Sequence, residues 1–80
     1  MKIQINTFAA LKGYFSQSFV LNIDTVRTIE ELKKELIRTK PSAEAIINSC
    51  RFAVDETFVN DTTELYDNAS IYIIPPSSGG

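Results

Sequence analysis

The side chains that most often carry chemistry are nearly absent from this sequence. It contains no histidine, so it has no imidazole base, no Ser-His or Cys-His dyad and no histidine-ligated metal. The single cysteine, Cys50, can form neither an internal disulfide nor a thiolate cage for zinc. With no histidine beside it to lower its pKa, Cys50 reads as a small, half-buried apolar residue rather than a nucleophile. No glycine-rich loop stands ready to cradle a phosphate. What remains is the ending Pro75-Pro76-Ser77-Ser78-Gly79-Gly80. Gly79 and Gly80 can pass through a channel too narrow for a Cβ, and the one functional group they deliver is the α-carboxylate of Gly80. A carboxylate is a poor electrophile, so acyl chemistry there requires activation by a partner, as an acyl-phosphate or acyl-adenylate. Pro75 and Pro76 stiffen the chain ahead of this tail and project it away from the fold. A frayed terminus or an expression scar is the competing reading of such an ending.

The elements that position this tail must come from eighty residues, one small domain with no internal repeat, linker or second domain. A chain of this size buries only about 60–65% of the surface its unfolded form exposes, enough for one modest core and no deep cleft. With 44% hydrophobic and 22% charged residues, three Pro and three Gly, the composition is that of a folded protein. Eight Lys and Arg against ten Asp and Glu leave no basic footprint, which argues against nucleic-acid binding. The opening MKIQINTF alternates and no long apolar run follows, so neither a signal peptide nor a membrane span is expected. Together with the lone cysteine, this points to a reducing cytoplasm.

Alternation of Ile3 and Ile5 with Gln4 and Asn6 predicts a half-buried strand over residues 2–8. Phe8 falls out of phase, on the polar side. Ala9 to Lys12 suggest a brief helical turn ended by Gly13. Phe19, Leu21 and Ile23 predict a second strand, antiparallel to the first. Thr28-Ile29-Glu30-Glu31 is a capping box opening a helix, with Ile29, Leu32, Leu36 and Ile37 on one face. Lys33, Lys34 and Arg38 fall on its solvent side, and Pro41 stops it. A weaker helical turn over 42–48 presents Ile46 and Ile47. Arg51–Val54 and Thr57–Val59 flank a two-residue turn, Asp55-Glu56, and read as a hairpin of open turn type. In the loop 62–68, Leu65 is a plug and Asp67-Asn68 a turn. The last strand, Ser70–Ile74, has Ile71 and Ile73 on one face and Tyr72 and Ile74 on the other. This order predicts an α+β domain with the first and last strands as central neighbours and the helix across one face.

The helix opening Thr28-Ile29-Glu30-Glu31-Leu32, the segment Phe52 to Val59, the loop Leu65-Tyr66-Asp67-Asn68 and the ending Ile73 to Gly80 together resemble the ubiquitin-like sulfur carriers. Within that family the sequence is most similar to the small subunits of molybdopterin synthases. The resemblance covers essentially the whole chain, and its specific part is the terminal strand followed by Pro-Pro-x-x-Gly-Gly. It implies a β-grasp fold over residues 1–76, with a mixed sheet and one main helix, and a flexible tail over 77–80.

The resemblance also implies a cycle of chemistry on Gly80. A ubiquitin-activating-like adenylyltransferase adenylates the Gly80 carboxylate with ATP, and a sulfur donor protein converts the glycyl adenylate to a thiocarboxylate (1-thioglycine). The tail, with Gly79 in the channel, then inserts into the large subunit of molybdopterin synthase. There the sulfur passes to a cyclic pterin monophosphate precursor to build the dithiolene of the molybdenum cofactor. The implied complex is a heterotetramer of paired small and large subunits. This chain would bind no cofactor itself and would not be catalytic alone.

Phe8, Phe58, Tyr72 and Ile74 lie opposite the core side of their strands and would form a patch on the open sheet face. The resemblance implies that positions such as Phe8, Phe58 and Ile74 contact both partners; Tyr72, Pro75, Pro76, Ser77 and Ser78 are expected to complete the surface, and Lys12 is a candidate to pair with an acidic partner residue. Ser77 stands where relatives often carry an apolar residue, which weakens the expected channel contact there. Asp67-Asn68-Ala69 replaces a common Asp-Gly-Asp turn. A thiamin-pathway carrier, a ubiquitin-like modifier joined to lysines, and a plain interaction module remain alternatives.

Overall fold

The computed structural model describes residues 1–8 and 11–76. Five strands form one sheet: β1 (Lys2–Thr7), β2 (Ser18–Asn22), β3 (Arg51–Val54), β4 (Thr57–Val59) and β5 (Ser70–Ile74). Helix α1 spans Ile29–Thr39, and a 3-10 turn at Pro41–Ala43 runs into α2, Glu44–Ser49. The strand order is β2-β1-β5-β3-β4. β1 and β5 are parallel central neighbours, with Ile5 opposite Ile71 and Thr7 opposite Ile73. The other three pairings are antiparallel. This is the mixed sheet with a helix across one face that a β-grasp domain requires.

The two-residue period of the strands builds the core. Ile3, Ile5, Ile71, Ile73, Phe52 and Val54 all point to one side of the sheet and are buried there with Ile29, Leu32 and Leu36 of α1. Thr7 continues the same side. It is buried, but its hydroxyl donates to the Ser16 carbonyl at 2.9 Å and so keeps a partner.

The capping box forms as the sequence predicts. The Glu31 amide donates to Thr28 Oγ1 at 3.3 Å, and Glu31 Oε1 accepts from the Thr28 amide at 3.2 Å. The remaining free amides at this helix end are satisfied by the loop after β4, Ile29 donating to the Thr63 carbonyl and Glu30 to that of Asp61. Leu65 packs against the core, and its amide donates to the Arg27 carbonyl at 2.7 Å.

Several local expectations need correction. β1 stops at Thr7, so Phe8 lies just beyond the strand, and Ile23 likewise enters the core one residue beyond β2. Ala9 and Ala10 lie outside the described residues. From Leu11 a turn runs on through Gly13 rather than ending there, because the Tyr14 and Phe15 amides both donate to the Leu11 carbonyl, and Leu11 is fully buried. Lys33 is not a solvated lysine. Its ammonium sits 2.7 Å from Asp61 Oδ1 and 5.2 Å from the Phe52 ring centroid, tying α1 to the loop. Cys50 is buried rather than half-buried. Asp55 and Asn68 supply the positive φ values, 56° and 68°, that their turns need without glycine.

Replacing Thr28 with Ala is expected to cost about 1 kcal/mol through loss of the cap. Ile71→Ala, in the central strand, should cost about 2–5 kcal/mol. Both would appear as a lower urea midpoint at unchanged slope.

Candidate functional site

The face of the sheet opposite α1 is divided across its width. One cross-strand row runs Ser18, Asn6, Tyr72, Ala53, Phe58, as the four registers align them. Over β1 and β2 the face is mostly polar, with the exposed Val20, opposite Gln4, as its apolar exception. Gln4 Nε2 donates to Ser18 Oγ, and Asn6 Nδ2 donates to the Ile71 carbonyl at 3.3 Å. Over β5, β3 and β4 it is apolar. Tyr72 and Phe58 flank Ala53, which is only 6% exposed although it lies away from the core cluster. One pair further along, Arg51 stands opposite Ile74, and its guanidinium lies 3.9 Å from the centroid of the Phe58 ring.

Of the residues expected on this patch, Phe8 and Phe58 are the most open, at 47% and 52% exposure. Tyr72, Ile74 and Pro75 are half-buried and Pro76 is exposed. Because β1 and β5 run parallel, Phe8 and Ile74 lie at the same end of the sheet. A shallow cavity of about 180 Å³ opens there, lined by Thr7, Phe8, Lys12 and Gln17. Ser77, Ser78, Gly79 and Gly80 lie outside the described residues.

The hairpin carrying Phe58 is fastened at its turn. The Asp55 amide donates to the Ser70 carbonyl at 2.7 Å, Asp55 Oδ1 accepts from the Ser70 amide, and Asp55 Oδ2 accepts from the Tyr66 hydroxyl. That last bond holds the Tyr66 phenol above its ordinary pKa, since the bond and the neighbouring charge both favour the protonated form. Burial pushes the Cys50 thiol up, only partly offset by the charge of Lys33, so the thiolate is disfavoured. Among the described residues no group of three or more His, Cys, Asp or Glu gathers to hold a metal, and no helix is long and apolar enough to cross a membrane.

Sequence reasoning did not single out Arg51, Ala53 or the Asp55–Tyr66 clamp. The one available signal was parity: Arg51 and Ala53 alternate with Phe52 and Val54, so they had to share the open face. What they meet there depends on strand register.

The family profile described as ThiS family matches residues 5–80. Among solved structures, SAMP1 from Haloferax volcanii aligns over 100% of both chains with a TM-score of 0.83 at 16% identity. Small archaeal modifier protein 1 from Methanosarcina acetivorans aligns over 99% of this chain and 96% of its own, with a TM-score of 0.79 at 18% identity. A chain in the complex of subunits 1 and 2 of molybdopterin-converting factor from Helicobacter pylori 26695 aligns over 100% of both chains, with a TM-score of 0.72 at 22% identity. At these identities the likeness establishes the fold. No curated protein matches the sequence.

Two solution measurements check the local chemistry. Cys50 is expected to react with an aromatic disulfide reagent far more slowly in the folded protein than in urea. In an ultraviolet titration Tyr66 should ionise above the ordinary phenol value of about 10, and Tyr66→Phe should remove that step. A raised phenol pKa means that the folded form holds the proton more tightly. Its contribution to stability is therefore complete below the ordinary value and is lost as pH rises through the raised one.

Proposed function

The chain belongs to the ThiS family, and from that premise we propose that it is the sulfur-carrying small subunit of a molybdopterin synthase, with the Gly80 carboxylate as its reactive group. The observation that best supports this reading is the course of the central strand. β5 pairs with β1 and ends at Ile74, and Pro75 and Pro76 follow it at the sheet end where Phe8, Ile74 and Phe58 expose apolar surface, with the Gly-Gly ending next in sequence. A partner that covers this surface receives the tail in the same encounter.

In the proposed cycle the catalytic groups and the ATP site belong to the partners. An adenylyltransferase attaches AMP to the Gly80 carboxylate and releases pyrophosphate. The mixed anhydride makes the carbonyl electrophilic, and a sulfur donor displaces AMP to leave a thiocarboxylate, a better nucleophile than the carboxylate it replaces. With Gly79 and Gly80 threaded into the large subunit, the thiocarboxylate sulfur bonds to a carbon of a cyclic pterin monophosphate. Water cleaves the resulting thioester, leaving the sulfur on the pterin and regenerating the carboxylate. Phe8, Phe58, Tyr72, Ile74, Pro75 and Pro76 form the docking surface, continued by Ser77 and Ser78, in a heterotetramer of paired small and large subunits. A second reading, a ubiquitin-like modifier joined to lysines, is favoured by the two structural neighbours described as archaeal modifier proteins.

Intact mass separates the two. Incubated with the adenylyltransferase, ATP and a sulfur source, a carrier gains the mass difference between sulfur and oxygen, whereas a modifier appears as an adduct on lysine. Release of dithiolene product by the thiocarboxylated protein, the large subunit and the pterin precursor would establish the pathway, and no product would sink it. Gly80→Ala or one residue added after Gly80 should abolish transfer by misplacing the reacting carbonyl. Phe58→Asp and Ile74→Asp should each weaken binding to the large subunit by about 2 kcal/mol or more with the fold intact. Unchanged affinity in calorimetry would remove this surface from the interface.

A further inference from the structure

The docking surface carries a charge pattern that its apolar residues do not explain. The protein has more acidic than basic residues, yet none of its ten Asp and Glu lies in a strand. The only charged residues in the strands are Lys2 and Arg51. Strand alternation places both on the open face, Lys2 with Gln4 and Asn6, Arg51 with Ala53 opposite Ile74 and Tyr72. A third cation, Lys12, lines the cavity beside Phe8. The carboxylates bordering the face are turned toward their own chain: Asp55 accepts from Tyr66 and Ser70, and Asp67 Oδ1 accepts from the Lys2 amide at 2.7 Å. Glu56 stands in the β3–β4 turn, beyond the strands.

Arg51 is the cation placed within the apolar half. Its guanidinium lies over the Phe58 ring at 3.9 Å and makes no ion pair among the described residues. Stacking of this kind uses the face of the guanidinium and leaves its in-plane N–H donors free, the geometry that grips a carboxylate with two parallel bonds. It also holds Phe58 from one side while the Asp55 clamp holds its hairpin from the other.

We propose that Arg51 is a specificity-determining residue of the docking surface: it positions Phe58 and pairs with a carboxylate on the rim of an apolar depression in the partner protein. The partner surface is therefore acidic around an apolar centre. A second copy of this chain is a poorer occupant, because two such faces bring like charges together. The inference rests on the docking reading given under Proposed function.

The test measures binding of the full chain to the molybdopterin synthase large subunit and, separately, to the adenylyltransferase, by calorimetry at several salt concentrations. Wild-type affinity for at least one of them should fall as salt rises. At low salt Arg51→Met, which keeps an apolar stem, should bind that partner about 10-fold more weakly and with a flatter salt dependence. Arg51→Glu should lose about 100-fold or more, and Arg51→Lys should fall between wild type and Met because it lacks the planar fork. Unchanged circular dichroism and melting temperature will show that each variant folds. The inference is overturned if Arg51→Glu binds like wild type, if wild-type affinity is indifferent to salt, or if sedimentation shows a dimer of this chain that Arg51→Met dissolves. Binding of wild type to neither protein overturns the docking reading and this inference together. Binding that ignores Arg51 removes only the latter.

Discussion

The parallel ladder between β1 and β5 is the constraint on which the rest of the fold depends. It joins the two ends of the sequence, Gln4 with Ser70 through Thr7 with Ile73, and places both strands at the centre of the sheet. A parallel pair cannot be closed by a tight turn. It needs a long crossover, and here that crossover contains both helices and the β3–β4 hairpin. The core exists only once this pairing is made, because Ile3, Ile5, Ile71 and Ile73 form a buried floor together and not separately. The loop-closure entropy is recovered only late, when these distant residues meet.

The same ladder sets the geometry of the other face. Parallel pairing brings Phe8, one residue past β1, to the end of the sheet where β5 delivers Ile74 and the prolines. An antiparallel arrangement would have put them at opposite ends. The β3–β5 and β3–β4 registers then bring Tyr72, Ala53 and Phe58 into one row. The apolar half of the open face and the Pro75-Pro76 exit from β5 are thus neighbours by topology.

Helix α1 is held by two kinds of interaction with different ranges. Its first turn is specified locally by the reciprocal bonds of Thr28 and Glu31. Besides the core packing of Ile29, Leu32 and Leu36, the helix is tied to residues about thirty positions away: Asp61 and Thr63 accept its free amides, and Asp61 binds Lys33. An exposed ion pair alone contributes little. Lys33, however, also packs its largely buried side chain so that its ammonium lies near the Phe52 ring, while Asp61 stays exposed.

The sequence alone determined most of the elements. Periodicity of two in β1 and β5, the spacing of Ile29, Leu32 and Leu36, the Thr28–Glu31 box and the tolerance of Asn68 for positive φ are local properties, set by residues within a few positions of one another. Tertiary structure decided which residues meet. That Arg51 lies on Phe58, that Ala53 is buried between Phe58 and Tyr72, and that Lys33 is clamped by Asp61 all depend on register and crossover. A one-residue slip would have turned each of these strands over, and no local preference of Arg51 or Phe58 records which register the assembled sheet adopts.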